Sequence, residues 1–335
     1  MIRETADWRP SASIETLRAR AQLLAAIRAF FREREILEVQ TPVLSRHATV
    51  DRHIESFVVS SPDHEARITD HGFLQTSPEF AMKRLLAAGS GPIWQIAPVF
   101  RCEEQGRHHN PEFTMLEWYR PGFDHHRLMN EVEALLRRCG APQAMPEFGW
   151  RRYSYREAFE TFAGFDPFAL DAAALRERLA ARGIAEPESL AADEIASRDF
   201  WLDLWMSHVV AAQLGADAPA FVYDFPASQA ALARVRDEEP PVAERFELFW
   251  RGLELANGFH ELTDAAEQQR RFEADRQWRR THGRAVPPYD ATLIAALQAG
   301  LPSCAGVALG IDRLLMLLSG AERLADVLAF AADRA

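Results

Sequence analysis

Apolar residues recur at helical spacing through Leu17, Leu24, Ile27 and Phe31, within a stretch, 13–34, that contains no Gly or Pro. One amphipathic helix is predicted there. The next run, 36–44, is β-leaning and carries Pro42, which suits a strand edge. Short apolar runs at 57–59, 93–100 and 113–119, separated by turn formers and charges, predict strands of a mainly antiparallel sheet. Between about 165 and 215 the chain turns to Ala, Leu, Arg and Glu, with helical runs near 170–181 and 201–214, and reads as a helical insertion. Strands resume at 220–225 and from Phe246, a long helix covers about 265–280, HGRAVPPYD is a loop, and 306–318 is a short strand entering a helix.

Composition narrows the class. With 335 residues, 48% hydrophobic and 26% charged, the chain can bury one large core or two average ones. Its net charge of −11 would repel a nucleic-acid backbone unless the cations gather on one face. Cys102, Cys139 and Cys304 are odd in number, far apart and without a C-x-x-C pair. That argues against a disulfide framework and a structural zinc site, and fits a reducing cytoplasm. No run approaches the roughly 18 continuous apolar residues that span a bilayer, so a soluble protein without a membrane partner is expected. Lys83 is the single lysine. A P-loop and a protein-kinase site each need a lysine in another context, so both are excluded.

Four segments carry candidate chemistry. In FRCEEQGRHHNPEFTMLEWY, two strand-like runs flank a polar loop with Gly, Arg and two His. There Arg101 can grip a phosphate, Glu103 can accept from an exocyclic amine, and Phe113 can stack under a base, or the hairpin is simply a solvated charged surface. In FELFWRGLELANGFHE, Glu247 and Glu254 are an odd seven positions apart, which sets them on opposite faces of an unbroken strand. If Arg251-Gly252 is a two-residue turn, Trp250 pairs with Leu253 and Glu247 with Ala256, so Glu247, Phe249, Glu254 and Ala256 share a face. Two carboxylates converging there suit Mg²⁺ on a polyphosphate, or are scattered solvent-facing acids. In GVALGIDRLLM, small residues at Gly306, Ala308 and Gly310 clear one strand face, with Arg313 in reach of a terminal phosphate. Alone, such a run more often means tight packing. In QTSPEF, Ser77 and Glu79 open the helix that carries Lys83, either as N-terminal caps or as an amine-binding carboxylate and its support.

Together these segments resemble class II aminoacyl-tRNA synthetases. FREREILEVQTPVL is similar to their motif 1, FRCEEQGRHHNPEFTMLEWY to motif 2 and GVALGIDRLLML to motif 3, in order, and TSPEF and FELFWRGLELANGFHEL match the lysyl branch. Only about a dozen residues precede the first helix, too few for the five-stranded anticodon-binding barrel that lysyl-tRNA synthetases carry there. The whole chain therefore resembles the truncated paralogues that ligate (R)-β-lysine to elongation factor P. The resemblance implies an α+β fold over 1–335: a class II synthetase-like antiparallel sheet flanked by helices, with the insertion at about 165–215 and no anticodon-binding domain. It implies an ATP- and Mg²⁺-dependent, AMP-forming ligase, homodimeric through motif 1, that takes (R)-β-lysine or lysine and elongation factor P as partners in preference to tRNA. Carried over by position, Arg101, Cys102, Glu103, Asn110, Phe113, Glu247, Leu248, Gly310 and Arg313 serve ATP. Ser77, Pro78, Glu79, Glu117, Tyr119, Glu254, Glu261 and Ala308 serve the amino acid. Glu247 and Glu254 serve the metal, and Arg101, Arg313 and Glu254 the chemistry. A dicationic substrate needs carboxylates at two separated points, since a buried ammonium without a partner costs several kcal/mol. Lysyl-tRNA synthetases have Gly where this chain has Ala308, and a methyl there narrows the pocket floor or merely fills space. The rival readings are a lysyl-tRNA synthetase paralogue charging tRNA or a tRNA-like RNA, and an inactive lysine-sensing homologue.

Overall fold

The computed structural model describes residues 8–60, 71–102, 104–140, 150–187 and 190–335. In chain order the elements are α1 (Ile14–Arg32), β1 (Leu37–Glu38), β2 (Leu44–Ser45), β3 (Val58–Ser60), β4 (His71–Leu74), α2 (Glu79–Ala87), β5 (Ile93–Phe100), β6 (Glu112–Pro121), α3 (His125–Cys139), β7 (Arg151–Ser154) and α4 (Tyr155–Phe162). There follow α5 (Ala172–Ala181), α6 (Ala192–Ala196), α7 (Arg198–Trp205), β8 (Ala220–Pro226), β9 (Val235–Arg236), β10 (Val242–Trp250), β11 (Leu253–His260), α8 (Ala265–Thr281), α9 (Ala291–Gly300), β12 (Cys304–Gly310) and α10 (Ile311–Ser319). The chain divides into two compact units. One comprises residues 1–122, 134–141 and 263–335, the other 123–133 and 142–262.

In the first unit β5 lies antiparallel to β6 and parallel to the short β1, and β12 runs antiparallel to β6. A small antiparallel sheet, β2-β4-β3, accompanies them. Ser13 caps α1 by accepting from the Thr16 N–H at 3.1 Å. The helix buries Leu23, Ile27, Phe30 and Phe31, so the stripe passes through Leu23 where the spacing suggested Leu24. Phe31 stacks on Trp94 of β5 with ring centres 4.7 Å apart and meets Trp118 of β6 edge-on at 5.4 Å. The expected single strand over 36–44 is two two-residue strands, β1 and β2, in different sheets.

In the second unit β10 is central, antiparallel to β11, β8 and β9, while β7 joins β8 in parallel. The helices of 165–215 are no appendage. Trp201, Trp205, Val209 and Leu214 are buried in one core with Tyr155, Phe159, Val222 and Phe249. The predicted helix over 201–214 is α7 from Arg198 to Trp205, followed by a π turn at Met206–Val210 and a 3₁₀ turn at Ala211–Gln213. Helices α3, α4 and α9 had no counterpart in the periodicity argument. The fold is α+β and its sheets are mainly antiparallel.

Candidate functional site

In the first unit, strand register brings together several of the residues that the resemblance assigns to the amino acid. Glu117 stands opposite Ala308 on one side and Gln95 on the other, and Tyr119 stands opposite Gly306. Residues directly opposite share a face, so the Gly306, Ala308, Gly310 floor lies beside Glu117 and Tyr119. Glu117 is 1% exposed. Its carboxylate accepts from the Tyr119 hydroxyl at 2.5 Å and the Ser77 hydroxyl at 2.8 Å. The Ser77 oxygen also accepts from the Glu79 N–H at 3.0 Å, so capping and support of Glu117 are one arrangement at the head of α2, where Pro78 is the cap residue. Glu79 also has a partner within its own helix. It accepts from the Lys83 ammonium at 2.6 Å, and Lys83 is 1% exposed, so one oxygen of Glu79 neutralises a buried cation of the protein itself.

Around the loop between β5 and β6, the Arg101 guanidinium lies 5.2 Å over the Phe113 ring and reaches Glu104 at 3.3 Å. Its Nε is buried with no hydrogen-bond partner among the described residues, a donor suited to an anion. Phe113, expected to lie under a base, carries this guanidinium on its face. The Cys102 N–H donates to the Glu55 carbonyl at 2.9 Å, and Glu103 falls outside the described residues. Asn110 donates to the Glu112 carbonyl at 2.6 Å and accepts from the Ala332 N–H at 3.0 Å, so its side chain ties the loop to the C-terminal segment. Gly310 caps α10, and a Cβ there would meet nothing closer than the Arg313 chain at 3.9 Å. Arg313 donates to the His108 carbonyl at 3.3 Å and to His109 Nε2 at 2.8 Å. Desolvation, assisted by the Arg313 charge, lowers the His109 pKa below the usual histidine value, so the ring stays neutral at pH 7 and its Nε2 can accept.

A residue that the pattern did not single out organises these parts. Asp312 accepts from Arg20 of α1 at 2.5 Å and from the Thr114 N–H of β6 at 2.7 Å, while Arg20 also donates to the Thr114 hydroxyl at 2.6 Å. The sequence signal was the acid beside Arg313; its partners lie too far away in sequence for any local pattern to name them.

In the second unit the β10–β11 turn is at Arg251-Gly252, both with positive φ (51° and 76°), and Trp250 pairs with Leu253 as expected. A register shift then corrects the rest of the hairpin. Phe249 faces Glu254, Leu248 faces Ala256 and Glu247 faces Asn257, leaving Leu255 as the extra residue. Glu247, Phe249 and Glu254 still share a face, but Asn257 occupies it where Ala256 was expected. Glu247 is 7% exposed and pairs with Arg245. Burial pushes its pKa up to about 7, against the pull of Arg245 and with a push from the Glu254 carboxylate. Leu248 is fully buried on the opposite face, so only its backbone is placed to serve a nucleotide. Asn257 Oδ1 is buried without a hydrogen-bond partner among the described residues. Two carboxylates and an orphaned amide oxygen on one sheet face form a hard oxygen set that fits Mg²⁺. Glu261, one residue past β11, is 1% exposed.

Comparison with known proteins gives the family. The family described as tRNA synthetases class II (D, K and N) matches residues 3–334. The chain belongs to this family. A protein of Salmonella gallinarum named elongation factor P–(R)-β-lysine ligase is 50% identical over 99% of both chains. The protein of that name from Salmonella typhimurium is likewise 50% identical over 99% of both, and that of Salmonella paratyphi B is 49% identical over the same share. No described helix is long and apolar enough to cross a membrane.

Proposed function

We propose that the protein activates (R)-β-lysine with ATP and transfers it to a lysine side chain of elongation factor P. Buried Glu117, held by two hydroxyl donors beside the clear floor of β12, is the observation that carries this reading. It is a recognition point for a substrate ammonium, and 50% identity over 99% of the chain with a relative named for this ligation supports the choice of substrate and acceptor.

In the first step the substrate carboxylate attacks the α-phosphorus of ATP, forming an aminoacyl adenylate and releasing pyrophosphate. In the second, the acceptor amine attacks the acyl carbon, loses a proton, and AMP departs as the amide forms. No covalent enzyme intermediate is required, so positioning and charge stabilisation supply the rate. Arg101 and Arg313 bind phosphate charge, Glu117 and Tyr119 fix an amine, and Glu254 and Glu261 offer further carboxylates to the dicationic substrate. Glu247, Glu254 and Asn257 would hold Mg²⁺, which when bound neutralises polyphosphate charge.

Leu37 and Leu44, within the segment similar to motif 1, are exposed apolar residues, which supports a homodimer formed through that segment. Net charge −11 and a single lysine favour a protein acceptor over tRNA, and cytoplasmic action fits such an acceptor. The test incubates enzyme, ATP, Mg²⁺ and labelled β-lysine with elongation factor P or with total tRNA. Label is expected on the protein and lost when its acceptor lysine is changed to Arg. Efficient label on tRNA alone would refute the reading.

A further inference from the structure

On the side of β10 opposite Glu247, the second unit gathers a different donor set. His125, first residue of α3, is 1% exposed, and neither ring nitrogen has a well-formed hydrogen bond among the described residues. Its Nε2 lies 3.3 Å from Asp224 Oδ1. His260 Nδ1, at the end of β11, lies 2.8 Å from Oε2 of Glu244 on β10. One ligand atom each from His125, Glu244 and His260 fall within 4.8 Å of one another.

We propose that His125, Glu244 and His260 bind a borderline divalent cation of the Zn²⁺ class. Two imidazoles and one carboxylate are ligands that Zn²⁺ prefers, whereas Mg²⁺ takes oxygen and belongs with Glu247, Glu254 and Asn257. Tetrahedral bonds of about 2.0–2.1 Å need donors about 3.4 Å apart, so shifts on the order of an ångström close the set. An ion-pair network is the competing use of these groups. Arg234 contacts both Glu244 oxygens at 2.5 and 2.9 Å, and Arg236 holds Asp224 at 2.6 Å and approaches Glu244 at 3.6 Å. That network explains the carboxylates but leaves Nδ1 of the buried His125 ring without a partner among the described residues, its Nε2 having only Asp224 at 3.3 Å. Burying such a group unbonded costs on the order of 1–3 kcal/mol, and ligation removes that cost. The Arg234 side chain is 50% exposed, so it can leave Oε2 to the cation while Nη2 keeps Oε1. Asp224, at φ 58°, is turned towards His125 and supplies a second acid to orient its ring or complete the coordination. The cation would tie α3, β10 and β11 together.

The test uses tag-free, chelator-stripped full-length protein, without ATP and in millimolar Mg²⁺ so that oxygen-only sites are filled. Titrated Co²⁺ is expected to bind at one equivalent with the visible d–d absorption of an imidazole-ligated, low-coordinate site, displaced by Zn²⁺. His125→Asn should weaken binding more than about tenfold, and Glu254→Gln should leave it unchanged. Wild-type protein that shows no such band, or a His125→Asn variant folded by circular dichroism with unaltered affinity, overturns the proposal.

Discussion

Arg20 and Asp312, 292 positions apart, meet at 2.5 Å, and the same carboxylate receives the N–H of Thr114. One buried acid thus joins α1, the motif 2 strand β6 and the motif 3 helix α10. Asp312→Ala strands a partly buried guanidinium and an amide, and should cost about 2–4 kcal/mol of stability. Chemical denaturation measures it; a loss below about 0.5 kcal/mol would show the clamp to be ornamental.

Arg101→Ala removes the guanidinium whose Nε is unpartnered in the structure. Lysine-dependent pyrophosphate exchange should fall by at least about a hundredfold, the usual scale for one preorganised donor to a developing charge. Unchanged far-UV circular dichroism would show that the fold survives. Near wild-type exchange in that folded variant would reject Arg101 as a phosphate ligand.

Ala308 faces Glu117 across the β6–β12 pair, so its methyl lies beside the proposed amine site. Ala308→Gly should shift relative kcat/KM towards α-lysine over β-lysine by about 1–3 kcal/mol. A constant ratio would identify the methyl as packing alone.

The Arg313–His109 contact requires a neutral imidazole. The His109 pKa is lowered from its usual value by burial and the Arg313 charge, so in the folded protein the ring takes up its proton at a lower pH than a free histidine does. The contact is complete above the free-histidine value and is lost as pH falls through the lowered value. Exchange activity should show an acidic limb below about pH 6.5, and His109→Gln should remove that limb, because an amide does not titrate there. An identical limb in the variant would assign it to another group.

Strand β5 and the Arg251-Gly252 turn were legible because a compact apolar run and a two-residue turn are local signals. The bulge at Leu255 was not. It adds one residue without changing the pattern of types, and only the ladder reveals that Asn257, rather than Ala256, faces Glu247. The clamp on Asp312 and the partnership of Ser77 with Glu117 escaped for another reason: both depend on partners brought together by tertiary packing. Glu79 is visible as an acid at a helix start, whereas its pairing with Lys83 four residues on follows from the helix register.

The ion pair between Lys83 and Glu79 has a chemical consequence. A loosely held acyl adenylate acylates whatever primary amine it meets, and an enzyme built to modify lysines would be its own nearest victim. This chain offers one lysine side chain, 1% exposed and engaged with a carboxylate at 2.6 Å. Histidines apart, its remaining basic side chains are guanidiniums, protonated at any working pH and poor nucleophiles. The protein's side chains thereby offer the reagent it makes only one primary amine, buried and paired, and the activated amino acid is left for an amine supplied from outside.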